Sequence, residues 1–146
     1  MDTEDLLRLL NVHKVEFVVI GATAFPIHGY ARATLDIDMF VHPEPQNASR
    51  LFEALKDFGY DVSDITLGDL LTKKVLIRQY LVETDIHPFV TGITFDQIWK
   101  KRVRGTYGNE KVFYASLDDL ITMKEAAGRP KDPEDLKVLR ILKQKK

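Results

Sequence analysis

The sequence of 146 residues contains no cysteine. Disulfides, thiolate zinc sites and a cysteine nucleophile are therefore excluded, and the composition is compatible with a reducing cytosol. No apolar run has the length of a transmembrane helix, and no signal-peptide pattern is visible. We therefore expect a cytoplasmic protein with no membrane partner.

The sequence also lacks a dominant charge. Its 21 Lys and Arg residues nearly balance its 22 Asp and Glu residues, which leaves a formal net charge of -1. No global basic field is available for sequence-independent binding of nucleic acid, so an RNA acceptor would have to rely on a local patch. The length predicts one domain, residues 1–146, with a single core.

Two carboxylates alternate with apolar residues between Thr34 and Val41. A period of two places Asp36 and Asp38 on one face of a strand, roughly 6.6 Å apart at Cα. The opposite face carries Leu35, Ile37, Met39 and Val41. Two unpaired like charges would be costly in a buried strand, and a Mg²⁺ ion between them would remove that cost. A solvated acidic face is the alternative, which the apolar neighbours disfavour.

A short apolar run, residues 15–20, ends at Gly21. A strand followed by a glycine turn and a helix N-terminus directs backbone N–H groups at an anion such as phosphate. Gly21 could instead be an ordinary turn glycine, but its distance from the acidic strand favours the anion site. An anion cradle beside an acidic pair is suited to a nucleoside triphosphate with Mg²⁺.

Periodicity and capping signals predict the remaining elements. Helices are expected at residues 3–12, 48–58, 95–102 and 117–127 and after Asp132-Pro133, with a helical turn or two near residues 67–71 and a short helix between Gly21 and Gly29. Strands are expected at residues 15–20, 34–41, 75–77, 81–87, 103–107 and 111–115, the last two as a hairpin. The fold class is α/β, with a small mixed β-sheet flanked by helices.

A third carboxylate lies near the end of the strand predicted at residues 81–87. Asp85 could complete a set with Asp36 and Asp38 that holds two Mg²⁺ ions. Glu83 lies two residues earlier on the same nominal face and competes for this role.

Basic residues near the C-terminus are candidates for phosphate contacts. Lys124 lies on the polar side of a predicted helix, from which it could reach a phosphate, and Arg129 and Lys131 follow it. The alternative is that all three are solvated surface residues. Arg32 could contact a phosphate or a base, or be an exposed loop residue. Asp132 fits a helix N-cap better than a catalytic role. The four histidines show no ligand spacing, so no zinc site is expected.

Gly21-Ala22, a spacer of thirteen residues and then Asp36-Ile37-Asp38 resemble the signature of the nucleotidyltransferase (polymerase-beta-like) superfamily. The fuller pattern is similar to a small bacterial branch that includes the AbiEii-type toxins of type IV toxin–antitoxin systems. Its matching positions are His28-Gly29, Arg32, Thr34, Asp85, Lys124, Arg129, Lys131-Asp132 and Asp135. The likeness covers most of the chain. Ala22 departs from it, because some relatives have a Ser hydroxyl there; the backbone N–H remains, and Thr23 is a candidate substitute.

The resemblance implies a nucleotidyltransferase-like domain that moves a nucleoside monophosphate from a nucleoside triphosphate to an acceptor hydroxyl on RNA, a protein or a small molecule. It implies a Mg²⁺ cofactor held by the catalytic residues Asp36, Asp38 and Asp85, and it favours Asp85 over Glu83. The implied nucleotide-binding residues are Gly21, Ala22, Thr23, Arg32, Lys124 and Lys131. A cognate partner protein and a toxin–antitoxin role follow from the same likeness. The alternative, suggested by Ala22 and the short length, is a non-catalytic nucleotide-binding or interaction module such as a contact antitoxin.

Overall fold

The computed structural model describes residues 2–32, 34, 36–79, 82–130 and 132–145. The helices in this part of the chain are α1 (Thr3–Val12), α2 (Pro45–Phe58), α3 (Leu67–Thr72), α4 (Phe95–Lys100), α5 (Leu117–Ala127) and α6 (Asp132–Gln144). The strands are β1 (Phe17–Ile20), β2 (Asp36–Val41), β3 (Val75–Ile77), β4 (Glu83–His87), β5 (Val103–Tyr107) and β6 (Glu110–Tyr114). Two short 3₁₀ turns, Gly21–Ala24 and Pro26–His28, connect β1 to the chain before β2.

The six strands form one mixed sheet in the order β3-β4-β2-β1-β6-β5. β2 and β4 pair in parallel, as do β1 and β6, whereas β1 and β2 are antiparallel, as are the outer pairs β3–β4 and β5–β6. The predicted α/β class and the small mixed sheet flanked by helices are therefore confirmed.

The register between β2 and β4 brings the acidic residues together. Asp36 pairs with Glu83 and Asp38 with Asp85, and paired residues on neighbouring strands point to the same face of a sheet. Four carboxylates thus share one face at the centre of the sheet. On the opposite face of β2, Ile37, Met39 and Val41 are buried, as predicted, whereas Leu35 lies outside the described residues.

Helices cover both faces. Tyr60, just after α2, donates its hydroxyl to the Val82 carbonyl at 2.8 Å and contacts the Thr84 hydroxyl at 3.0 Å. Because Thr84 alternates with Asp85 along β4, α2 ends on the face opposite the carboxylates. On the acidic face, α5 packs against α6 and contributes Leu120, Met123 and Lys124 to a cleft beside the carboxylates.

Most element boundaries agree with the sequence prediction, and the differences have local causes. α2 begins at Pro45 rather than at 48, because the Glu44 carboxylate accepts the N–H groups of Gln46 and Asn47 and Pro45 fits the first helical position. The hairpin turn contains only Gly108 and Asn109, since Glu110 already pairs with Tyr107.

The short helix predicted between Gly21 and Gly29 does not form as an α-helix. The chain makes two tight turns instead, in which Phe25 N–H donates to Ala22 O at 3.2 Å and Gly29 N–H donates to Pro26 O at 3.0 Å. Pro26 has no N–H to donate, so it interrupts a continuous helical ladder here. The predicted short helix is therefore present only as two 3₁₀ turns, the first of which begins at Gly21.

Candidate active site

A cleft of about 520 Å³ opens on the acidic face of the sheet. It brings together Gly21 and the three predicted catalytic residues, Asp36, Asp38 and Asp85. The other predicted or family-matched residues that line it are Ala22, Arg32, Thr34, Lys124 and Arg129. Lys131 lies outside the described residues, so its predicted nucleotide contact stays a prediction.

Gly21 packs directly against the Asp38 carboxylate. Its φ of +68° lies in the left-handed region, and a Cβ added there would stand 2.8 Å from Asp38 Oδ2. A side chain would therefore strain the backbone and collide with the carboxylate at once. The turn fits Asp38 only because this residue is glycine.

Thr23 has a structural contact that its sequence position did not reveal. Its hydroxyl donates to the backbone carbonyl of Asp36 at 2.9 Å, which ties the Gly21 turn to the start of β2. In the described part of the chain, Thr23 is not one of the residues that line the cleft. Its hydroxyl thus anchors the turn in this structure, and a nucleotide contact by Thr23 stays a prediction.

Three of the four carboxylates already have basic partners. Arg78 donates from one guanidinium nitrogen to Asp85 Oδ1 at 2.6 Å, and its Nε lies 3.9 Å from Glu83 Oε2. His87 Nε2 lies 2.9 Å from Asp38 Oδ1. As these side chains stand, no three His, Cys, Asp or Glu groups in the described chain form a ready-made metal site.

The crowding of carboxylates alters the titration of Glu83. A hydrogen bond to Asp36 raises the pKa of Glu83, and partial burial and the negative charge of Asp36 act in the same direction. This is the expected effect of carboxylates held close together.

The carboxylates of the cleft are chemically suited to a hard divalent cation. Asp36, Asp38 and Asp85 offer only oxygen donors, which Mg²⁺ prefers, and they lie side by side on neighbouring strands. The bare backbone of Gly21 leaves room against Asp38 that a Cβ would fill. Rotation of Arg78 away from Asp85 would free Asp85 Oδ1, which now accepts a hydrogen bond from Arg78, to bind a metal ion.

Lys124 is not on a solvated polar face. Its side chain is only 9% exposed, and its Nζ lies 3.1 Å from Asp132 Oδ1 and 3.2 Å from Asp135 Oδ2, both on α6. Asp135 also accepts from Tyr30 O–H at 3.1 Å and pairs with Arg32. The surface alternative for Lys124 was therefore wrong, and Arg32 is held in an ion pair rather than free in a loop.

Asp132 was expected to cap α6, but it is the first residue of that helix, and its carboxylate binds Lys124 and Arg129 instead. It is 1% exposed and accepts from Lys124 Nζ and from the Arg129 backbone N–H, the latter at 2.8 Å. We name the group Tyr30, Arg32, Lys124, Asp132 and Asp135 the α5–α6 charge cluster. The cluster fixes two cations, Arg32 and Lys124, where they line the cleft opposite the carboxylates.

The cluster perturbs the titration of both aspartates. Burial alone would raise the pKa of Asp135, but hydrogen bonds from Arg32, Lys124 and Tyr30 outweigh it and hold that pKa below its ordinary value. Burial would also raise the pKa of Asp132, but hydrogen bonds from Arg129 N–H and Lys124 outweigh it, so this pKa is lowered as well. Both carboxylates are therefore kept ionised in the folded protein.

Asp135→Asn should reduce the free energy of unfolding by about 2 to 3 kcal/mol at neutral pH, because it leaves Lys124 and Arg32 short of a buried counter-charge. Because the pKa of Asp135 is lowered in the folded protein, its contribution to the free energy of unfolding is fully present above the unfolded-state pKa of about 3.9. This contribution is lost as the pH falls through the folded-state pKa. Urea unfolding at several pH values measures both effects.

The matched control is Asp118→Asn. Asp118 pairs with Lys143 at 2.8 Å, but both side chains are at least half exposed. We expect this change to cost less than about 1 kcal/mol, as is usual for surface pairs. Equal losses for the two variants would mean that the α5–α6 charge cluster does not stabilise the fold more than a surface ion pair.

Sequence reasoning missed three charged residues of the site. His87 follows Asp85 by two residues on β4, so the period of two could have placed it on the acidic face. Lys74 lines the cleft from just before β3. Arg78 could not be found in the same way, since its position opposite Glu83 depends on the antiparallel pairing of β3 with β4.

The cleft combines carboxylates on two neighbouring strands, a glycine turn packed against one of them and cations on the opposite side. These are the features that the resemblance to nucleotidyltransferases predicts. The chain belongs to the family described as "Nucleotidyltransferase of unknown function (DUF6036)", whose model matches residues 2–145. The nucleotidyltransferase class predicted from the sequence is thereby confirmed.

The chain is also similar to a solved structure described as "Crystal structure of lincosamide antibiotic adenylyltransferase LnuA, lincomycin-bound". The TM-score is 0.63 at 17% sequence identity, and the match covers 97% of this chain and 98% of that one. This likeness concerns the fold. No curated protein matches the sequence. Within the described residues, no helix has the length and apolar character needed to cross a membrane.

Proposed function

We propose that this nucleotidyltransferase moves a nucleoside monophosphate from a nucleoside triphosphate to an acceptor hydroxyl with the help of Mg²⁺. The observation that carries the proposal is the shared face of Asp36, Asp38 and Asp85 beside Gly21. The acceptor oxygen bonds to the α-phosphorus, the bond from that phosphorus to the bridging oxygen breaks, and pyrophosphate leaves. The acceptor proton passes to solvent through the Asp85 carboxylate.

The residues of the cleft divide the work between its two sides. Asp36, Asp38 and Asp85 would hold Mg²⁺, which supplies charge neutralisation of the triphosphate and a lower pKa for the acceptor hydroxyl. Lys124 and Arg32 attract the phosphate oxygens from the opposite side, with their positions fixed by Asp132 and Asp135. Because these groups are held before the substrate arrives, most of the rate enhancement comes from positioning and electrostatic stabilisation.

A small molecule is the acceptor class that the surface around the cleft favours. A second hollow of about 500 Å³ adjoins the cleft and shares Phe89 and Val90 with it. Its wall also includes Phe40, Ile93 and Phe95, so it is mainly apolar and of the size that ligands of drug-like dimensions occupy. The formal net charge of -1 gives no general attraction for RNA. LnuA, whose described substrate class is a lincosamide antibiotic, is consistent with this choice.

The resemblance to AbiEii-type toxins remains the support for a toxin–antitoxin role and a cognate partner protein, whereas a cytoplasmic location is expected from the composition alone. Under that role the acceptor would be a nucleic acid or a protein, and the apolar hollow would contact the partner instead. These three statements stay predictions.

The experiment is to incubate the protein with Mg²⁺ and each labelled nucleoside triphosphate, and to offer total RNA, whole-cell protein or a set of hydroxyl-bearing antibiotics that includes lincomycin. We expect label on a small molecule and none with Asp36→Asn, which removes one carboxylate charge from the face without changing its size. Label on RNA or protein would support the toxin-like alternative. Transfer that does not change in Asp36→Asn would contradict the site assigned above.

A further inference from the structure

Arg78 occupies the carboxylate that the proposed reaction needs. Its guanidinium lies 2.6 Å from Asp85 Oδ1, within hydrogen-bonding distance, and a divalent cation on the same oxygen would bring two positive centres into contact. The Asp85 side chain is 11% exposed, whereas that of Arg78 is 42% exposed. Asp85 is therefore fixed in the sheet, and Arg78 is the partner with space to move away.

The position of Arg78 follows from the sheet. Ile77 is the last residue of β3 and pairs with Thr84 on β4, so Arg78 continues the antiparallel register and lies opposite Glu83. Residues opposite each other on antiparallel strands share a face, which places Arg78 on the acidic face at the edge of the sheet. From there its side chain reaches Asp85 and approaches Glu83.

A counter-charge is needed there when no metal is bound. Asp36, Asp38, Glu83 and Asp85 would otherwise crowd four negative charges on one face of the sheet. Arg78 supplies one positive charge to this set and holds Asp85 in place.

We propose that Arg78 is an internal counter-ion that competes with the divalent cation for Asp85 and must move away before the metal can bind that carboxylate. The inference rests on the proposed role of Asp85 as a metal ligand. It makes Arg78 a positioning residue that sets the metal affinity of the free protein. A merely structural salt bridge would instead have its main effect on stability, and its loss would leave metal binding unchanged or weaker.

The test measures binding of Mn²⁺ alone, as a paramagnetic substitute for Mg²⁺, to the full chain by electron paramagnetic resonance and calorimetry. We expect Arg78→Gln to lower the Kd for Mn²⁺ about tenfold, the scale of one lost competing charge-assisted hydrogen bond. Arg78→Lys keeps the charge but not the planar guanidinium, so its Kd for Mn²⁺ should lie between those of the unmutated protein and Arg78→Gln. Lys73→Gln is the control, because it removes the same charge five positions away, where Lys73 pairs with Asp69 at 3.5 Å.

Lys73→Gln should change the Kd by less than about twofold, since an exposed charge is screened. An Arg78→Gln Kd equal to or higher than that of the unmutated protein would overturn the inference. Asp85→Asn combined with Arg78→Gln should abolish the gain. If Asp36→Asn weakens Mn²⁺ binding while Arg78→Gln has no effect, the metal site stands and only the role of Arg78 fails. If neither Asp36→Asn nor Asp85→Asn weakens it, the proposed metal site fails and the role of Arg78 fails with it.

Discussion

Asp85→Asn should lower nucleotidyl transfer by at least about a hundredfold while changing triphosphate affinity by only a few fold. In the proposed mechanism, Asp36 and Asp38 together with the phosphates would supply enough oxygen ligands to hold Mg²⁺ with the triphosphate. The third carboxylate becomes necessary when the acceptor hydroxyl must lose its proton. Single-turnover transfer and calorimetry with the triphosphate separate the two effects.

Glu83→Gln is the matched control for Asp85→Asn. Glu83 lies on the same strand and the same face, but its side chain is 40% exposed, whereas that of Asp85 is 11% exposed. We expect Glu83→Gln to retain transfer within about threefold, because an exposed carboxylate is better solvated and less fixed. The reverse result would assign the third ligand to Glu83. Loss of triphosphate binding in Asp85→Asn would place Asp85 on the triphosphate metal instead.

Local patterns determine the part of the site that the sequence predicts. Asp36 and Asp38 alternate with apolar residues over a single strand, so both their face and their burial follow from neighbours one or two positions away. The same holds for Ser116 and Thr94, whose side chains cap α5 and α4 as the short-range signals indicate. Pattern alone is sufficient where the structure depends on adjacent residues.

Contacts between distant elements account for what the sequence does not predict. Lys124 looks exposed on a helical projection, and only the packing of α6 on α5 buries it against Asp132 and Asp135. In the same way, the partner of Asp85 depends on how β3 pairs with β4. The burial of charged residues is predicted poorly from sequence. The free-energy cost of burying a charge is offset only by a partner, and the linear pattern does not identify that partner.

Gly21→Ala should reduce transfer by about a hundredfold or more, although it adds a single methyl group far smaller than a substrate. The added Cβ would stand 2.8 Å from Asp38 Oδ2 and 3.3 Å from the Asp38 carboxyl carbon, so the carboxylate must shift. Displacement of a catalytic group by about 1 Å can cost that much in rate. The residue would also have to adopt the left-handed conformation, which costs roughly 1–2 kcal/mol for a non-glycine residue.

Gly128→Ala separates these two effects. Gly128 ends α5 with a φ of +58°, close to the +68° of Gly21, but in the described part of the chain no atom beyond its two chain neighbours lies within 4 Å of a Cβ placed there. Both variants should therefore lose a similar 1–2 kcal/mol of unfolding free energy in urea, roughly the cost of the left-handed backbone. Only Gly21→Ala should lose transfer and weaken Mn²⁺ binding, while Gly128→Ala keeps both within about threefold. Equal activity in the two variants would show that the close contact between Gly21 and Asp38 does not matter for catalysis.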